Sequence, residues 1–245
     1  MGGVAVLSVD ELAEVAADAL VAEAARIEGE QSPYGIDRLL EVDLHPALAA
    51  GFAGAGWAVF REGLYPGQSG GKRKRGVTDS ARERCDLVLA QAGATRIRDD
   101  VEVGRRIAAA EDGLFAAVAA REEPERAEGV EPGDAMWVEV KVVGQHCYEA
   151  GVPGPNRTYA GELLAAGRDA KKLGTARGLV HGAVMLVLFA ADEVVARHDL
   201  GAALHRWMDR DWPVSQAAIE VRPIVDRIGN GVLAVMVVRV RCGGS

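Results

Sequence analysis

The sequence predicts an α/β fold with a mixed central β-sheet flanked by helices. Three observations lead there. Segments with helical apolar spacing alternate with short apolar runs along the 245 residues. Several of those runs are rich in valine and leucine and bounded by glycine, as buried strands are. No internal repeat or break in composition divides the chain. Hydrophobic residues make up 49% and charged residues 26%, which excludes a disordered chain. Aromatics are only 5%, so the core must be built from Val, Leu, Ile and Ala.

Ser8 followed by Glu11 is a capping-box pattern, and a helix of roughly 20 residues is expected after it. Residues 29–35 form a turn-rich connector. Residues 36–56 are helical, with a kink or restart near Pro46 that Asp43 could cap. Residues 57–63 and 84–90 are strands, separated by a Gly-rich basic loop at 67–76. A helix is expected at 103–120 and an acidic loop at 121–134. The segment 135–143 is the clearest strand. A Gly/Pro loop follows, then a helix over 158–174 that stops at Gly174. A buried strand spans 181–190, and a helix runs from about Asp192 to Met208. Strands at 216–223 and 231–241 close the chain as a hairpin, with Gly229-Asn230-Gly231 at its turn. Residues 1–35 read as an N-terminal helix and connector, and 36–245 as a single domain with an insertion at about 91–134.

The formal charge is −8, which argues against an indiscriminate nucleic-acid coat protein but leaves room for a local basic patch. No apolar run approaches the roughly 20 residues of a membrane helix, so no membrane partner is expected. The start has no basic region and meets Asp10 and Glu11 early, unlike a signal peptide. Cys85, Cys147 and Cys242 read as reduced thiols, and the expected location is cytoplasmic.

Two strands carry charges where apolar residues are expected. In 137–143, Val138, Val140 and Val142 share one face, and Glu139 and Lys141 share the other. In 84–89, Cys85, Leu87 and Leu89 share one face, and Asp86 and Val88 the other. A Glu-x-Lys pair on a strand is also compatible with an ordinary ion pair. If the two strands are neighbours, Asp86 converges on Glu139 and Lys141. Two carboxylates then suit a hard divalent cation, and a lysine beside them suits a phosphodiester.

These pieces, Asp86 on one strand and Glu139-Val140-Lys141 on the next, resemble the PD-(D/E)xK nuclease superfamily, with its restriction-endonuclease-like fold. The resemblance covers roughly residues 36–190, and its motifs are short. Cys85 stands where the proline of the name would be. Asp86 and Glu139 are separated by far more than the tight hairpin usual in the family, which the insertion at 91–134 explains. The resemblance implies metal-dependent hydrolysis of DNA. Asp86, Glu139 and the Val140 carbonyl would bind Mg²⁺ or Mn²⁺, and Lys141 would orient the attacking water. Glu41 would assist from the preceding helix, with Asp43 and His45 behind it and Glu62 as an outside candidate.

Gln145 lies on the Lys141 face and is read as either a phosphate neighbour or a loop-facing amide. The basic block Lys72-Arg73-Lys74-Arg75 is read as either a DNA contact or a solvated run. Lys171 and Lys172 are candidate DNA contacts on the helix after the catalytic strand. A homodimer is compatible with a site that cuts one strand at a time. Two rival readings remain open: a non-catalytic binding or assembly module on the same fold, and a metal-dependent hydrolase of a small phosphoester.

Overall fold

A computed structural model describes residues 8–66, 82–99 and 129–243. The basic block at 72–75, the expected helix at 103–120 and most of the acidic loop lie outside the described residues.

Helix α1 (Val9–Gly29) opens with the expected box: the Glu11 N–H donates to Ser8 Oγ at 3.1 Å, and Glu11 Oε2 accepts the Ser8 N–H at 2.9 Å. Helix α2 (Glu41–Gly54) begins later than the sequence suggests, after a single 3₁₀ turn at Ile36–Arg38. Asp43 caps its start by accepting the Leu40 N–H at 3.2 Å, and Pro46 sits inside the helix without ending it. Glu41 and His45 therefore share one helical face, four residues apart.

The strands are β1 (Ala58–Leu64), β2 (Arg84–Ala90), β3 (Met136–Gly144), β4 (His146–Glu149) and β5 (Val152–Pro155), then β6 (His181–Ala190), β7 (Val214–Pro223) and β8 (Val232–Arg241). Helices α3 (Tyr159–Ala166), α4 (Asp169–Thr175) and α5 (Glu193–Met208) lie between β5 and β7. The main sheet runs β1-β2-β3-β6-β8-β7. It is mixed, with β3 and β6 parallel and the other pairs antiparallel.

Both faces of this sheet are covered, which is why its central strands read as continuous apolar runs. Val138, Val140, Met185, Val187, Val235 and Val237 pack on one face with Leu12, Leu20, Leu44 and Phe52 of α1 and α2. Trp137, Val184, Leu186, Met236 and Val238 pack on the other with Leu163, Leu173, Leu200 and Trp207 of α3, α4 and α5. Each such side chain contributes roughly 1.5–3 kcal/mol by leaving water.

Three expectations are corrected. The Gly/Pro loop after β3 contains the β4–β5 hairpin, held by the pairing of His146 with Pro155 and of Glu149 with Val152. The single helix at 158–174 is two helices. Gly167 lies at their junction, where a Cβ would come within 2.5 Å of Trp207 and Trp212. Cys85 does not share a face with Leu87 and Leu89; it packs with Val88, Tyr65 and Trp137. Alternation breaks on the N-terminal side of Leu87, the first β2 residue in the β3 ladder, whose partner is Val138. On the other side of β2, Glu62 of β1 adopts a left-handed φ of 56°, a conformation that costs a non-glycine residue energy.

Candidate functional site

The place where β2 departs from β3 is where the charges collect. Before Leu87, at Cys85 and Asp86, side chains replace backbone as partners of β3. Cys85 Sγ lies 3.3 Å from the Val138 carbonyl, and Asp86 Oδ2 accepts the Val140 N–H at 2.7 Å. The Asp86 carboxylate thus satisfies a donor that the ladder has abandoned. It also lies beside Glu139, Glu41 and Lys141. The two strands are neighbours despite the long separation in sequence.

Glu139 projects to the α3–α5 side and is only 3% exposed. The Tyr65 hydroxyl donates to its Oε1 at 2.5 Å, and Lys172 Nζ donates to the same oxygen at 2.8 Å. Tyr65 is itself fully buried, stacked on Trp137, with the Lys172 ammonium 4.7 Å from its ring centre. Lys172 also donates to the Arg84 carbonyl at 3.0 Å. It is spent inside the site, whereas Lys171 points outward and lies 5.5 Å from the Trp212 ring.

Lys141 leaves the same face of β3 and reaches both helical layers. Its Nζ lies 3.0 Å from Glu41 Oε1 on α2 and 3.4 Å from Asp169 Oδ2 at the start of α4. The gap between β2 and β3 lets one ammonium join them.

Burial pushes the pKa values of Asp86, Glu139 and Asp169 up. The Asp86 charge adds to the rise at Glu139, while Lys172 and Tyr65 oppose it. Burial alone would lower Lys141, but Glu41, Asp169 and Asp86 more than reverse this and hold it above the usual lysine range. Lys172 is raised in the same way, chiefly by Glu139. His45, 4% exposed, is pushed down by burial and stays neutral near pH 7.

Glu41, His45 and Asp86 each offer a ligand atom, and these atoms lie within 4.8 Å of one another. Two further features fit a divalent cation. The Nε2 of His45 is buried with no hydrogen-bond partner, which is costly unless something occupies it. Across the wider site, the carboxylates of Glu41, Asp86, Glu139 and Asp169 meet two ammonium groups, those of Lys141 and Lys172. Two carboxylates with one neutral imidazole suit Mn²⁺ at least as well as Mg²⁺.

Comparison of the chain with protein-family models, with curated proteins and with solved structures finds no match.

The other sequence candidates lie at the edge of this group or outside it. Gln145 Oε1 accepts the Ala191 N–H at 2.9 Å and ties β3 to the end of β6. Asp43 is occupied at the start of α2. Glu62 is exposed beside His45. Sequence reasoning missed Tyr65 and Asp169 and ranked His45 behind Glu41. A tyrosine before a glycine-rich loop and an acid at a helix start carry no distinguishing signal. The i, i+4 spacing of Glu41 and His45 was the available clue to the third.

Proposed function

We propose that this chain is a metal-dependent nuclease acting on DNA, of the PD-(D/E)xK type, on a restriction-endonuclease-like core. The observation that carries the reading is the convergence of Asp86, Glu139 and Lys141 where β2 leaves β3, with Glu41 and His45 opposite. Glu41, His45 and Asp86 would hold the cation, and Glu139 would border it. A divalent cation here would supply charge neutralisation at the phosphodiester and acidify a water.

The remaining work falls to the chain. Lys141 stays protonated near pH 7, so it donates hydrogen bonds and stabilises negative charge; it is not the base. Asp169 Oδ2 is 3.4 Å from Lys141 Nζ, so a water held by that ammonium would lie within its reach, and its raised pKa would make it the better proton acceptor. Tyr65 and Lys172 fix the Glu139 carboxylate in one orientation, so it needs no rearrangement during the reaction.

The test is cleavage of end-labelled DNA with Mn²⁺ or Mg²⁺ by the wild type and by Lys141→Ala. The variant should lose activity by at least about a hundredfold, the scale of a lost charge-stabilising donor. Unchanged cleavage would sink the mechanism. A second reading, a non-catalytic binding module, is favoured by one observation: both lysines already sit in ion pairs, Lys141 with Glu41 and Lys172 with Glu139. DNA binding without cleavage under any divalent metal would select it. Cleavage of a nucleotide phosphoester in preference to DNA would select a small-substrate hydrolase.

A further inference from the structure

Beside the acidic site, the connector before α2 meets the β4–β5 hairpin in an aromatic cluster. Tyr34 is 41% exposed. Its ring meets that of Tyr148 edge to face, with centres 5.5 Å apart. The Arg38 guanidinium lies 3.5 Å from the Tyr34 ring centre and 5.5 Å from that of Tyr148. Arg26, Arg82, Arg197, Arg222 and Arg227 each donate to a carboxylate. Arg38 is exposed and has no carboxylate partner among the described residues. Its guanidinium lies over a ring, and the guanidinium N–H groups donate to no partner among the described residues.

The cluster is close to the proposed reaction. Arg38 is three residues before Glu41, so their backbones are at most about 11 Å apart. Stacked nucleotides repeat every ~3.4 Å, which puts the cluster within a few nucleotides of the acidic site. Leu40 and Val42 flank Glu41 and are both exposed. A cation, an aromatic ring and apolar side chains are thus exposed on the stretch of chain that carries Glu41.

We propose that Tyr34, Arg38 and Tyr148 form a shelf for an unpaired nucleotide of a DNA strand. This rests on the nuclease reading for its meaning but is tested separately. The guanidinium edge contacts the phosphate, and a base stacks on the free guanidinium face or on Tyr148. Bases inside a duplex have both faces occupied by their neighbours. The shelf therefore selects single strands, or the frayed end of a duplex, over intact double-stranded DNA.

The experiment is fluorescence anisotropy of the full chain with a labelled 12-nucleotide single strand and with the matching duplex, in EDTA so that nothing is cut. The single strand should bind at least about tenfold more tightly. Arg38→Ala and Tyr148→Leu should each weaken single-strand binding by about 5- to 100-fold, the scale of one base stacked on an aromatic ring. Arg38→Lys, which keeps the charge and loses the plane, should restore only part. Equal affinity for the two DNAs, no effect of the substitutions, or full rescue by lysine would each overturn the shelf. Lys141-dependent cleavage with unaltered single-strand binding in Arg38→Ala would retain the nuclease and remove the shelf. Shelf-dependent binding without Lys141-dependent cleavage would do the reverse.

Discussion

Replacing Asp86 with Asn should stabilise the metal-free protein and weaken its response to metal. Asn can keep the bond to the Val140 N–H through its own carbonyl oxygen, so the end of the β2–β3 ladder survives. What it removes is a charge. The folded state binds the Asp86 proton more tightly than the unfolded chain does, because burial and, to a smaller extent, the Glu41 charge raise its pKa. Stability is therefore lost as pH rises from the unfolded carboxyl range, about 3.9, through the raised folded value. Two carboxylates about 4 Å apart at an effective permittivity of about 20 repel by about 4 kcal/mol. Lys141 offsets most of this, leaving a net gain on the order of 1 kcal/mol for the Asn variant. At this chain length that is about 2–4 °C in Tm. Mn²⁺ at a hundred times its Kd should stabilise the wild type by about 2.7 kcal/mol, or about 5–11 °C. The variant, lacking a ligand and a charge, should gain less than about a third of that. Thermal scans at pH 7.5 with and without Mn²⁺ should therefore show the order of the two proteins reverse. An Asn variant less stable without metal, or an undiminished metal shift, would refute the reasoning.

Three further outcomes are expected. Tyr65→Phe removes a buried hydrogen bond to a carboxylate, so thermal unfolding should report a loss of about 1.5–3 kcal/mol. That bond also holds the Glu139 pKa down, so the acid limb of the cleavage profile should move to higher pH in this variant. Asp37 has its pKa raised by burial, and its Oδ1 is buried with no partner. Its ionisation destabilises the fold as pH rises above the unfolded carboxyl range, so Asp37→Asn should raise Tm at pH 7.5 and have little effect near pH 4. Ser8→Ala should cost about 1 kcal/mol, read by chemical denaturation, because it opens the N-terminal cap of a helix that packs on β7 and β8.

Much of the fold is legible because burial on both faces writes itself into sequence. The strand at 84–90 and the strand at 181–190 begin and end where the apolar runs do. Helix α1 announces its start through Ser8 and Glu11. The β4–β5 hairpin is illegible because Val152-Pro153-Gly154-Pro155 lacks apolar alternation and contains two prolines. The break at Gly167 is set by Trp207 and Trp212, some 40 residues away in sequence. At the site, Asp86, Glu139 and Lys141 stand out because each interrupts a strand that otherwise needs apolar residues. Tyr65 and Asp169 do not, since their roles exist only once β1, β3 and α4 are brought together. The reversed face of Cys85 depends on the end of the β2–β3 ladder, which no local pattern records.

The ion pairs of the two lysines bear on which reading of the site is correct. A strand position that merely balanced charge would need one lysine for each carboxylate, and a buried pair of that kind is no better for stability than an apolar replacement. This site instead brings four carboxylates to two lysines, beside a buried, neutral imidazole whose Nε2 has no partner. Burial chiefly raises the pKa values of Asp86, Glu139 and Asp169, with a neighbouring carboxylate adding to each rise, a cost that helps neither packing nor strand pairing. Lys141 and a cation would compete for Glu41, so cation binding should loosen the Lys141–Glu41 contact and leave the ammonium to Asp169 and to an incoming phosphate. In the proposed nuclease, an ion pair that a cation can displace would hold Lys141 near its place of action until the metal arrived. That is a use for the pairing in an enzyme, and it gives the excess of carboxylates a purpose that a passive module would lack.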